Sequence, residues 1–238
     1  RPHVSTVTNL APDHLDYMDS LEAYYESKMR IYENTNEDDY FIRNVDDENI
    51  VKYAQNISCH VIDFSLKRKD VDLYKDDQYA YYKDTQLFKL SDLKIVGEFN
   101  CGNAMMASCM AYLMGVSLFN IQEVIREFSG VEHRIEYVDT IDNVRFYNDS
   151  KATNTHAACA GLSAFEKNVI LLCGGKDKHI SFDDLKQYDA VVKKCISFGQ
   201  TKDKFKNIFS NQVSVETMRD AFEKAVLFAK PGDIVLLC

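Results

Sequence analysis

The sequence predicts an α/β protein of two consecutive domains, and three observations support this prediction. The chain has 238 residues, which exceeds one average domain. From residue 144 onwards, segments typical of strands alternate with segments typical of helices, which predicts a parallel sheet with helices on both faces. An amphipathic helix over residues 121–128 is followed by Ser129-Gly130, a good helix C-cap, and we place the domain boundary after Gly130.

In the first domain, a capping-box pattern at Asp19-Ser20-Leu21-Glu22 predicts a helix that runs to about Glu33. Residues 104–114 are apolar nearly all round, which predicts a helix buried in a core. Residues 67–77 are rich in Lys and Asp, which is typical of exposed hairpin surface. The other predicted elements are strands over residues 4–10, 40–44, 59–64 and 78–82 and a helix over residues 48–56.

The second domain opens with residues 132–136, and its sheet is predicted to contain four strands. These strands cover residues 144–148, 168–173, 195–198 and 234–238. The helices between them are predicted over residues 155–165, 182–188, 203–209 and 217–230.

Composition and charge exclude several classes of protein. The formal net charge is −9 and the isoelectric point about 5.2, whereas binding of nucleic-acid phosphates needs clustered Lys and Arg. No apolar run approaches the roughly 18–20 residues that span a bilayer, and the first residues do not form a signal peptide. The seven cysteines show no C-x-x-C pair and no metal-ligand spacing, which is typical of reduced core thiols in a cytoplasmic protein. We therefore expect no nucleic-acid and no membrane partner.

Both ends of the chain are predicted to interrupt a strand. Residues 4–10 form a predicted strand without a lead-in, and residues 232–238 open a strand whose following loop is absent. We therefore expect the chain to be part of a larger protein.

The loop over residues 148–154 carries the densest group of reactive side chains. Asp149, Ser150, Lys151 and Thr153 follow a predicted strand and precede a predicted helix, whose start Thr153 or Asn154 is suited to cap. Open α/β sheets bind ligands at this edge, and the helix dipole there favours an anion. An ordinary exposed turn is the alternative interpretation, but the density of ionisable groups favours a binding site.

Two further positions suit either a functional or a structural role. Asp13, His14 and Asp16 follow the first strand, where they fit Mg²⁺ or a polar substrate as well as a hydrogen-bonded turn. Lys28 falls on the apolar stripe of the first predicted helix. A buried amine there would be reactive, although the pattern favours an ammonium group that reaches solvent.

Two features bear on nucleotide binding. Asn100 and Asn103 lie near a predicted helix N-terminus, where they suit either capping or amide contact with a nucleotide. Gly174-Gly175 follows a predicted strand, lets the backbone approach a ligand closely, and has Lys176 and Lys178 beside it. Neither a G-x-G-x-x-G nor a Walker A pattern occurs in the chain, so no phosphate-cradling loop is predicted.

Taken together, these motifs resemble the Mur ligases of bacterial peptidoglycan synthesis. The resemblance follows the family's order over nearly the whole chain and rests on residues 8–17, Lys28, Asn100, Asn103, His133-Arg134, residues 148–154, Gly174-Gly175 and Lys178. Its most specific part is the run from Asp149 to Asn154, which is similar to family members that attach D-glutamate. The resemblance implies a central ATPase-type α/β domain over residues 1–130 and a Rossmann-like C-terminal domain over residues 131–238.

The resemblance also implies a reaction and its substrates. Such ligases use ATP to join a nucleotide-linked carboxylate to an amino acid through an acyl-phosphate. For this branch of the family the two substrates are UDP-N-acetylmuramoyl-L-alanine and D-glutamate. We accordingly expect a cytoplasmic, monomeric enzyme that needs ATP and Mg²⁺ and that works mainly by positioning and charge neutralisation.

Roles for single residues follow from the same resemblance. His14, Lys28 and Arg134 match catalytic positions: His14 helps to hold Mg²⁺, Lys28 is carbamylated and supports the metal, and Arg134 faces the transferring phosphoryl group. Thr153 and Lys178 match groups that hold the carboxylates of D-glutamate. The positions that match ATP-binding residues are Asn100, Asn103, His133, Arg134, Asp149 (on the ribose) and Lys151.

The sequence departs from the family pattern in several places. The phosphate-binding loop, an acidic Mg²⁺ ligand and the domain that grips the UDP moiety lie upstream in the family, so we expect these residues alone not to turn over. Met18 and Phe99 replace histidines, and Cys238 stands where a serine is expected. Two other functions stay open: another ligase of the superfamily, acting with a different amino acid or on folate, and a non-catalytic nucleotide-binding module on the same fold.

Overall fold

The computed structural model describes residues 1–12, 18–178 and 180–238, which form two compact units. The first unit comprises Arg1–Phe128 and the second Ser129–Cys238. Each unit is built on a six-stranded sheet that carries helices. The predicted α/β class is therefore confirmed.

The first unit has a mixed sheet whose strands lie in chain order. The strands are β1 (Val4–Val7), β2 (Tyr40–Asn44), β3 (His60–Phe64), β4 (Leu73–Lys75), β5 (Tyr79–Tyr82) and β6 (Thr85–Lys89). Strands β1 to β4 pair in parallel, and β4, β5 and β6 form an antiparallel meander at one edge.

The helices described in this unit are α1 (Leu21–Met29), α2 (Glu48–Tyr53), α3 (Glu98–Leu113) and α4 (Leu118–Glu127), with 3₁₀ turns at Arg30–Tyr32 and Leu90–Asp92. They cover both faces of the sheet, because neighbouring residues of a strand point to opposite sides. Phe41 packs in a core with Met29 and Ile50 of α1 and α2, whereas Ile42 packs in another with Met105 and Ile121 of α3 and α4. Each such buried side chain contributes roughly 1.5–3 kcal/mol to stability.

Several boundaries of the first unit differ from the predicted ones. Strand β2 has the predicted bounds, but α3 begins at Glu98, so that Asn100 and Asn103 lie within the helix instead of before it. Strand β4 lies within the stretch predicted as exposed hairpin surface, and β6 was not predicted. Both strands belong to the meander, where they form because they pair with β5. Their polar sequences do not by themselves indicate strands.

The second unit has a sheet that is parallel except at one edge. Its strands are β7 (Glu136–Ile141), β8 (Val144–Asn148), β9 (Val169–Gly175), β10 (Val192–Gly199), β11 (Gln212–Ser214) and β12 (Ile234–Leu237). Their order is β11-β10-β9-β12-β8-β7, and β7 pairs antiparallel with β8. The helices described are α5 (Thr155–Ser163) and α6 (Met218–Phe228), with 3₁₀ segments at Asp183–Tyr188 and Lys202–Asn207.

The parallel sheet of this unit is confirmed, and β7 is the main feature that the sequence prediction missed. The signal for it is the pair Asp142-Asn143, whose φ angles of 50° and 61° suit a two-residue hairpin turn. Helices lie on both faces: Ala221 and Ala225 of α6 pack in the core with Ile170, and Phe165, just after α5, contacts Tyr147 with ring centroids 5.0 Å apart.

Two predictions from composition concern cysteines and membrane spans. All seven cysteines are free thiols, and the buried ones are Cys59, Cys109, Cys173 and Cys195. Among the helices that the structure describes, none combines the length and the hydropathy needed to cross a bilayer.

Candidate functional site

The second unit contains a cavity of about 290 Å³ at the carboxyl ends of β8, β9, β10 and β12. This is the edge at which α/β sheets bind ligands, as the sequence predicted. Its apolar lining includes Ile180, Phe182, Leu185, Phe198 and Phe205. Its polar lining consists of Ser150, Thr153, Asn154, Thr155, Lys176, Lys178 and Thr201.

The cavity has a positive electrostatic character. Lys176 and Lys178 are exposed at its rim, and none of its described lining residues is acidic. Helix α5 begins at this rim, and the backbone N–H groups of a helix N-terminus favour an anion. The cavity therefore suits a ligand that carries carboxylates.

Lys178 connects the two loops that border the cavity. Its Nζ donates a hydrogen bond to the backbone carbonyl O of Thr153 at 3.1 Å. A second hydrogen bond links the same two loops, in which the Thr155 hydroxyl donates to the carbonyl O of Ser181 at 2.6 Å. Because an ammonium group has three donors, Lys178 retains protons that can bind a ligand.

Asn154 forms the N-cap of α5. Its Oδ1 accepts a hydrogen bond from the N–H of Ala157 at 2.8 Å, and its backbone is extended, as an N-cap requires. Of the two candidates in the sequence, Asn154 is therefore the cap. Thr153 precedes it with an exposed side chain at the cavity.

A second set of predicted residues meets at a turn beside the same loop. His133 has a φ of 66°, and its carbonyl O accepts a hydrogen bond from the N–H of Lys151 at 3.0 Å. The exposed side chains of Arg134 and Lys151 thus belong to backbone segments that are bonded to each other. Two cations and an imidazole on adjacent segments suit the phosphates of a nucleotide.

Two residues to which the sequence analysis gave no role, Asn148 and Glu136, hold His133 through its side chain and its backbone. Asn148 Nδ2 lies 2.8 Å from His133 Nδ1, and Glu136 Oε2 accepts from the His133 backbone N–H at 2.8 Å. With Asn148 as the donor, Nδ1 accepts and the ring proton is on Nε2, which is left for a ligand. Glu136 on β7 and Asn148 on β8 lie opposite each other. The sequence could have indicated their role only if the pairing of these two strands had been predicted.

Asp149, which the family resemblance matches to a ribose-binding acid, is buried in the structure. Only 4% of the residue is exposed, and Oδ1 accepts from the N–H of Ile135 at 3.0 Å. Its other oxygen lies against Gly161 of α5, where an added Cβ would be 2.5 Å from Oδ2. Burial raises the pKa of the Asp149 carboxyl to about 6, an effect that the Ile135 N–H and the positive charge of Arg134 partly offset.

This pKa predicts an unusual dependence of stability on pH. The unfolded Asp149 carboxyl has a pKa of about 3.9. Between pH 4 and pH 6 the folded state binds more protons, so the free energy of unfolding falls as the pH rises through this window. We expect a loss of about 2 kcal/mol at this site from pH 4 to pH 7, measurable by urea unfolding.

The matched control for this prediction is Asp149→Asn, which keeps an oxygen acceptor for Ile135 but cannot titrate. Because the other ionisable groups are the same in both proteins, their contributions cancel in the comparison. The variant should lose about 2 kcal/mol less than the wild type over the window. Identical pH profiles of the two proteins would contradict the assignment.

Gly174 and Gly175 belong to β9, and Gly174 both lines the cavity and lies against β10. Gly174 has a φ of 138°, and a Cβ there would lie 2.1 Å from the carbonyl O of Phe198. Its lack of a side chain is therefore explained by strand packing. At Gly175, which has a φ of 126°, a Cβ would meet nothing within 4 Å.

Of the two residues that the family resemblance matches to metal support, the structure describes Lys28 but not His14. Lys28 is exposed, with Nζ 5.2 Å from the centroid of the Tyr24 ring. The prediction that Lys28 lies on a buried stripe is wrong, because Tyr25 and Met29 are the buried positions of α1. The solvent-directed ammonium that the pattern favoured agrees with this exposure.

His14, Asp13 and Asp16 lie outside the described residues. Among the described ones, no three His, Cys, Asp or Glu side chains are grouped closely enough to hold a metal ion.

Asn100 and Asn103 occupy the first turns of α3. Asn100 is buried, and its Nδ2 donates to the carbonyl O of Val96 at 2.8 Å. The N-cap of α3 is Gly97 and no described side chain accepts from its first N–H groups, so the capping alternative is wrong for Asn100. Asn103 is exposed, so its amide is accessible to a ligand.

Asp47, which no sequence pattern marked, holds the backbone that follows β1. Its Oδ2 accepts from the N–H of Leu10 at 2.8 Å while its Oδ1 caps α2, and Asn49 Nδ2 donates to the Leu10 carbonyl O at 3.2 Å.

Comparison with known protein families matches each unit to a domain of one enzyme family. Residues 1–111 match the Mur ligase middle domain, and residues 133–238 match the glutamate ligase domain of the same enzymes. The chain belongs to the Mur ligase family. The two Mur ligase matches leave only residues 112–132 of the chain uncovered.

Individual Mur ligases match along the whole chain. It is 40% identical over 245 aligned residues to the UDP-N-acetylmuramoylalanine–D-glutamate ligase of Geobacillus sp. strain WCH70 and 35% identical over 241 to that of Staphylococcus aureus strain JH9. Each match includes 100% of this chain but 54% of the relative. The chain thus spans about half the length of the curated relatives it matches.

Solved structures of the family share the fold. The chain is similar to MurF from Acinetobacter baumannii with a TM-score of 0.78 and 16% identity, over 99% of this chain and 56% of that one. MurF from Thermotoga maritima, in complex with ADP, gives a TM-score of 0.77 and 17% identity, over 99% and 58%. A bifunctional folylpolyglutamate synthase/dihydrofolate synthase from Yersinia pestis gives 0.72 and 17%, over 99% and 58%.

Proposed function

We propose that this chain is the ATP-binding and amino-acid-binding part of a cytoplasmic, monomeric ligase that joins D-glutamate to UDP-N-acetylmuramoyl-L-alanine in peptidoglycan precursor synthesis. In this proposal residues 1–130 belong to the central domain and residues 131–238 are the C-terminal domain. The observation that carries it is the positively charged cavity bordered by Thr153 and Lys178. The names of the relatives with 35–40% identity support the choice of amino acid.

D-glutamate carries two carboxylates, and the cavity offers matching groups. The proposed contacts are the Lys178 ammonium and the Thr153 hydroxyl, beside the positive N-terminus of α5. The cavity wall formed by Phe182, Phe198 and Leu185 excludes water around the carbon chain, which strengthens each charged contact. Holding the amine of D-glutamate in one orientation is the principal contribution of such a site to amide formation.

ATP supplies the phosphoryl group that activates the carboxylate of the nucleotide-linked substrate as an acyl-phosphate. We propose that His133, Arg134 and Lys151 bind its phosphates, since their segments are joined by a backbone hydrogen bond. The ADP bound by MurF of Thermotoga maritima supports a nucleotide site on this fold. In the first unit, Asn103 is the exposed amide proposed to contact the nucleotide, and Asn100 fixes the start of α3 beside it. The family resemblance supports a requirement for Mg²⁺, which His14 and a carbamylated Lys28 would hold.

The test is phosphate release with ATP, Mg²⁺, UDP-N-acetylmuramoyl-L-alanine and D-glutamate. It should be run on this chain and on the protein encoded by the whole gene. We expect release only in the longer protein and only when both substrates are present. Replacement of D-glutamate by L-glutamate, L-lysine or L-alanine should abolish it.

Three results would count against the proposal. Release that depends on an L-amino acid would indicate another ligase of the superfamily. Release that depends on a folate would indicate a folylpolyglutamate-type enzyme. Binding of ATP by the longer protein without release under any combination would indicate a non-catalytic nucleotide-binding module.

A further inference from the structure

Thr201, just after β10, differs from the other polar residues of the cavity in the depth of its burial. Only 2% of the residue is exposed, although it lines the cavity. Its backbone is held on both sides: the N–H donates to the carbonyl O of Gly175 at 3.3 Å, and the carbonyl O accepts from the N–H of Lys204 at 2.9 Å. The side chain therefore has a fixed place in the wall of the cavity.

The Thr201 hydroxyl makes no hydrogen bond to any residue that the structure describes. A threonine that precedes a helical segment ordinarily accepts from a backbone N–H of the first turn, but Thr201, which precedes the 3₁₀ segment Lys202–Asn207, makes no such bond. Within the described residues, every polar side-chain atom that is sealed from solvent has a partner. The Thr201 hydroxyl is therefore not sealed, and because the rest of the residue is buried, it opens into the cavity.

Thr201 and Thr153 border the cavity from strands on opposite sides of it. Thr153 follows β8 and Thr201 follows β10, and β12 and β9 lie between these two strands in the sheet. Neighbouring strands are about 4.8 Å apart, so the ends of β8 and β10 are separated by roughly 14 Å. The Lys178 ammonium is at the Thr153 end, where it bonds the Thr153 carbonyl O at 3.1 Å. Polar groups at two ends of one cavity suit a ligand with a carboxylate at each end of a short carbon chain.

We propose that Thr201 is a specificity-determining residue of the amino-acid site, whose hydroxyl donates to the carboxylate of D-glutamate that is farther from Thr153. This inference rests on the proposed function and adds to it a contact that selects the length of the substrate. The positive rim formed by Lys176 and Lys178 favours a carboxylate over an ammonium group as the partner of the hydroxyl. A hydroxyl without a protein partner can bind a ligand without first losing a hydrogen bond within the protein.

Thr201→Val tests the contact, because valine replaces the hydroxyl with a methyl group. In the protein encoded by the whole gene, this variant should raise the KM for D-glutamate about tenfold. The inhibition constant of glutarate, which has both carboxylates but no amine, should rise by the same factor. That of D-aspartate, whose carboxylates are one methylene closer together, should stay unchanged because its second carboxylate does not reach Thr201. Thr201→Ser, which keeps the hydroxyl, should remain within about threefold of the wild type for all three ligands.

Three results would overturn the proposal. An unchanged KM for D-glutamate in Thr201→Val would show that the hydroxyl binds no substrate group. Losses for D-glutamate and D-aspartate with none for glutarate would show that it binds the amine. Equal losses for all three ligands would show that the substitution distorts the cavity. Thr85→Val, a control substitution of the same kind on β6 of the first unit, should alter none of these constants.

The stability of the 238-residue chain tests whether the Thr201 hydroxyl has a structural role instead. Thr201→Val breaks no hydrogen bond between described residues, so it should not lower the midpoint of urea unfolding. Thr201→Ser removes a buried methyl group and should lower that midpoint. A binding role thus ranks the two variants in opposite order for stability and for affinity. A lower midpoint in Thr201→Val than in Thr201→Ser would contradict the unpartnered hydroxyl and overturn the proposal.

Direct binding separates this inference from the proposed function. D-glutamate titrated into the 238-residue chain, followed by the NMR shifts of the cavity amides, should bind about tenfold more weakly to Thr201→Val than to the wild type. If the longer protein released no phosphate but this difference was found, the proposed function would fail while the Thr201 contact stood. Phosphate release that depends on D-glutamate, with an unchanged KM in Thr201→Val, would overturn the contact and leave the proposed function standing. No binding of D-glutamate to either protein would overturn both.

Discussion

Replacing Lys178 with alanine is expected to raise the KM for D-glutamate by about ten- to a hundredfold in the protein encoded by the whole gene, with little change in the KM for ATP. Lys178 supplies a charge-assisted hydrogen bond to a substrate carboxylate, and such bonds contribute about 1.5–3 kcal/mol. It also ties the Thr153 carbonyl O at 3.1 Å, so its loss loosens the loop that presents the Thr153 hydroxyl. Steady-state kinetics with each substrate varied in turn measures the effect.

Lys186→Ala is the matched control for this prediction. Lys186 is also a lysine of the second unit and pairs with Asp183 at 2.6 Å, but it does not line the cavity. Its removal should change neither KM. Lys178→Arg should recover only part of the affinity, because a guanidinium differs from an ammonium in shape and donor geometry. A change of equal size in the KM for ATP, or none in that for D-glutamate, would refute the role of Lys178.

Gly174→Ala is expected to destabilise the second unit by about 4 kcal/mol or more, an effect at the upper end for single substitutions. A Cβ at this position would lie 2.1 Å from the carbonyl O and 2.9 Å from the N atom of Phe198. Both are backbone atoms of β10, so no side-chain rotation can relieve the clash, and β9 and β10 would have to separate. Urea unfolding followed by circular dichroism, with hydrogen exchange of the β9 amides, measures the loss.

Gly175→Ala is the matched control, because it introduces backbone strain without a clash. Gly175 also has a φ in the region that side chains disfavour, at 126°, but its Cβ would meet nothing within 4 Å. This variant should lose only about 1–3 kcal/mol, the cost of the strained conformation. Equal losses in the two variants would show that conformation, and not the approach of β10, decides the stability.

The structure separates what local patterns predict well from what they predict poorly. Strands β2 and β8 have the predicted bounds, since apolar and β-branched residues in a short run already favour a buried strand. The choice between Thr153 and Asn154 as the cap of α5 was open in the sequence, because both side chains can accept from a backbone N–H two or three residues on. The fold settled it, because Asn154 is the N-cap that accepts from Ala157, and both residues line the cavity.

Lys28 and Asp149 show that a local sequence pattern does not determine how deeply a side chain is buried. Helical spacing places Lys28 on one stripe with Tyr24 and Tyr25. In the structure, however, the buried residues of α1 are Tyr25 and Met29, and Lys28 is exposed. Asp149 belongs to a polar loop of the sequence, yet only 4% of the residue is exposed. Its environment is formed by Ile135 and Gly161, and neither contact can be inferred from neighbouring residues in the chain.

The sequence by itself determined the α/β class, most of the elements, and the edge of the sheet where the cavity lies. These follow from periodicity and from the rule that ligands meet parallel strands at their carboxyl ends. Only the tertiary structure decided which groups share that edge: Lys178 with Thr153, Asp149 with Ile135, and Gly174 with Phe198. Each of these pairs is separated by 14 to 25 residues, so their contact depends on strand order and packing and not on local pattern.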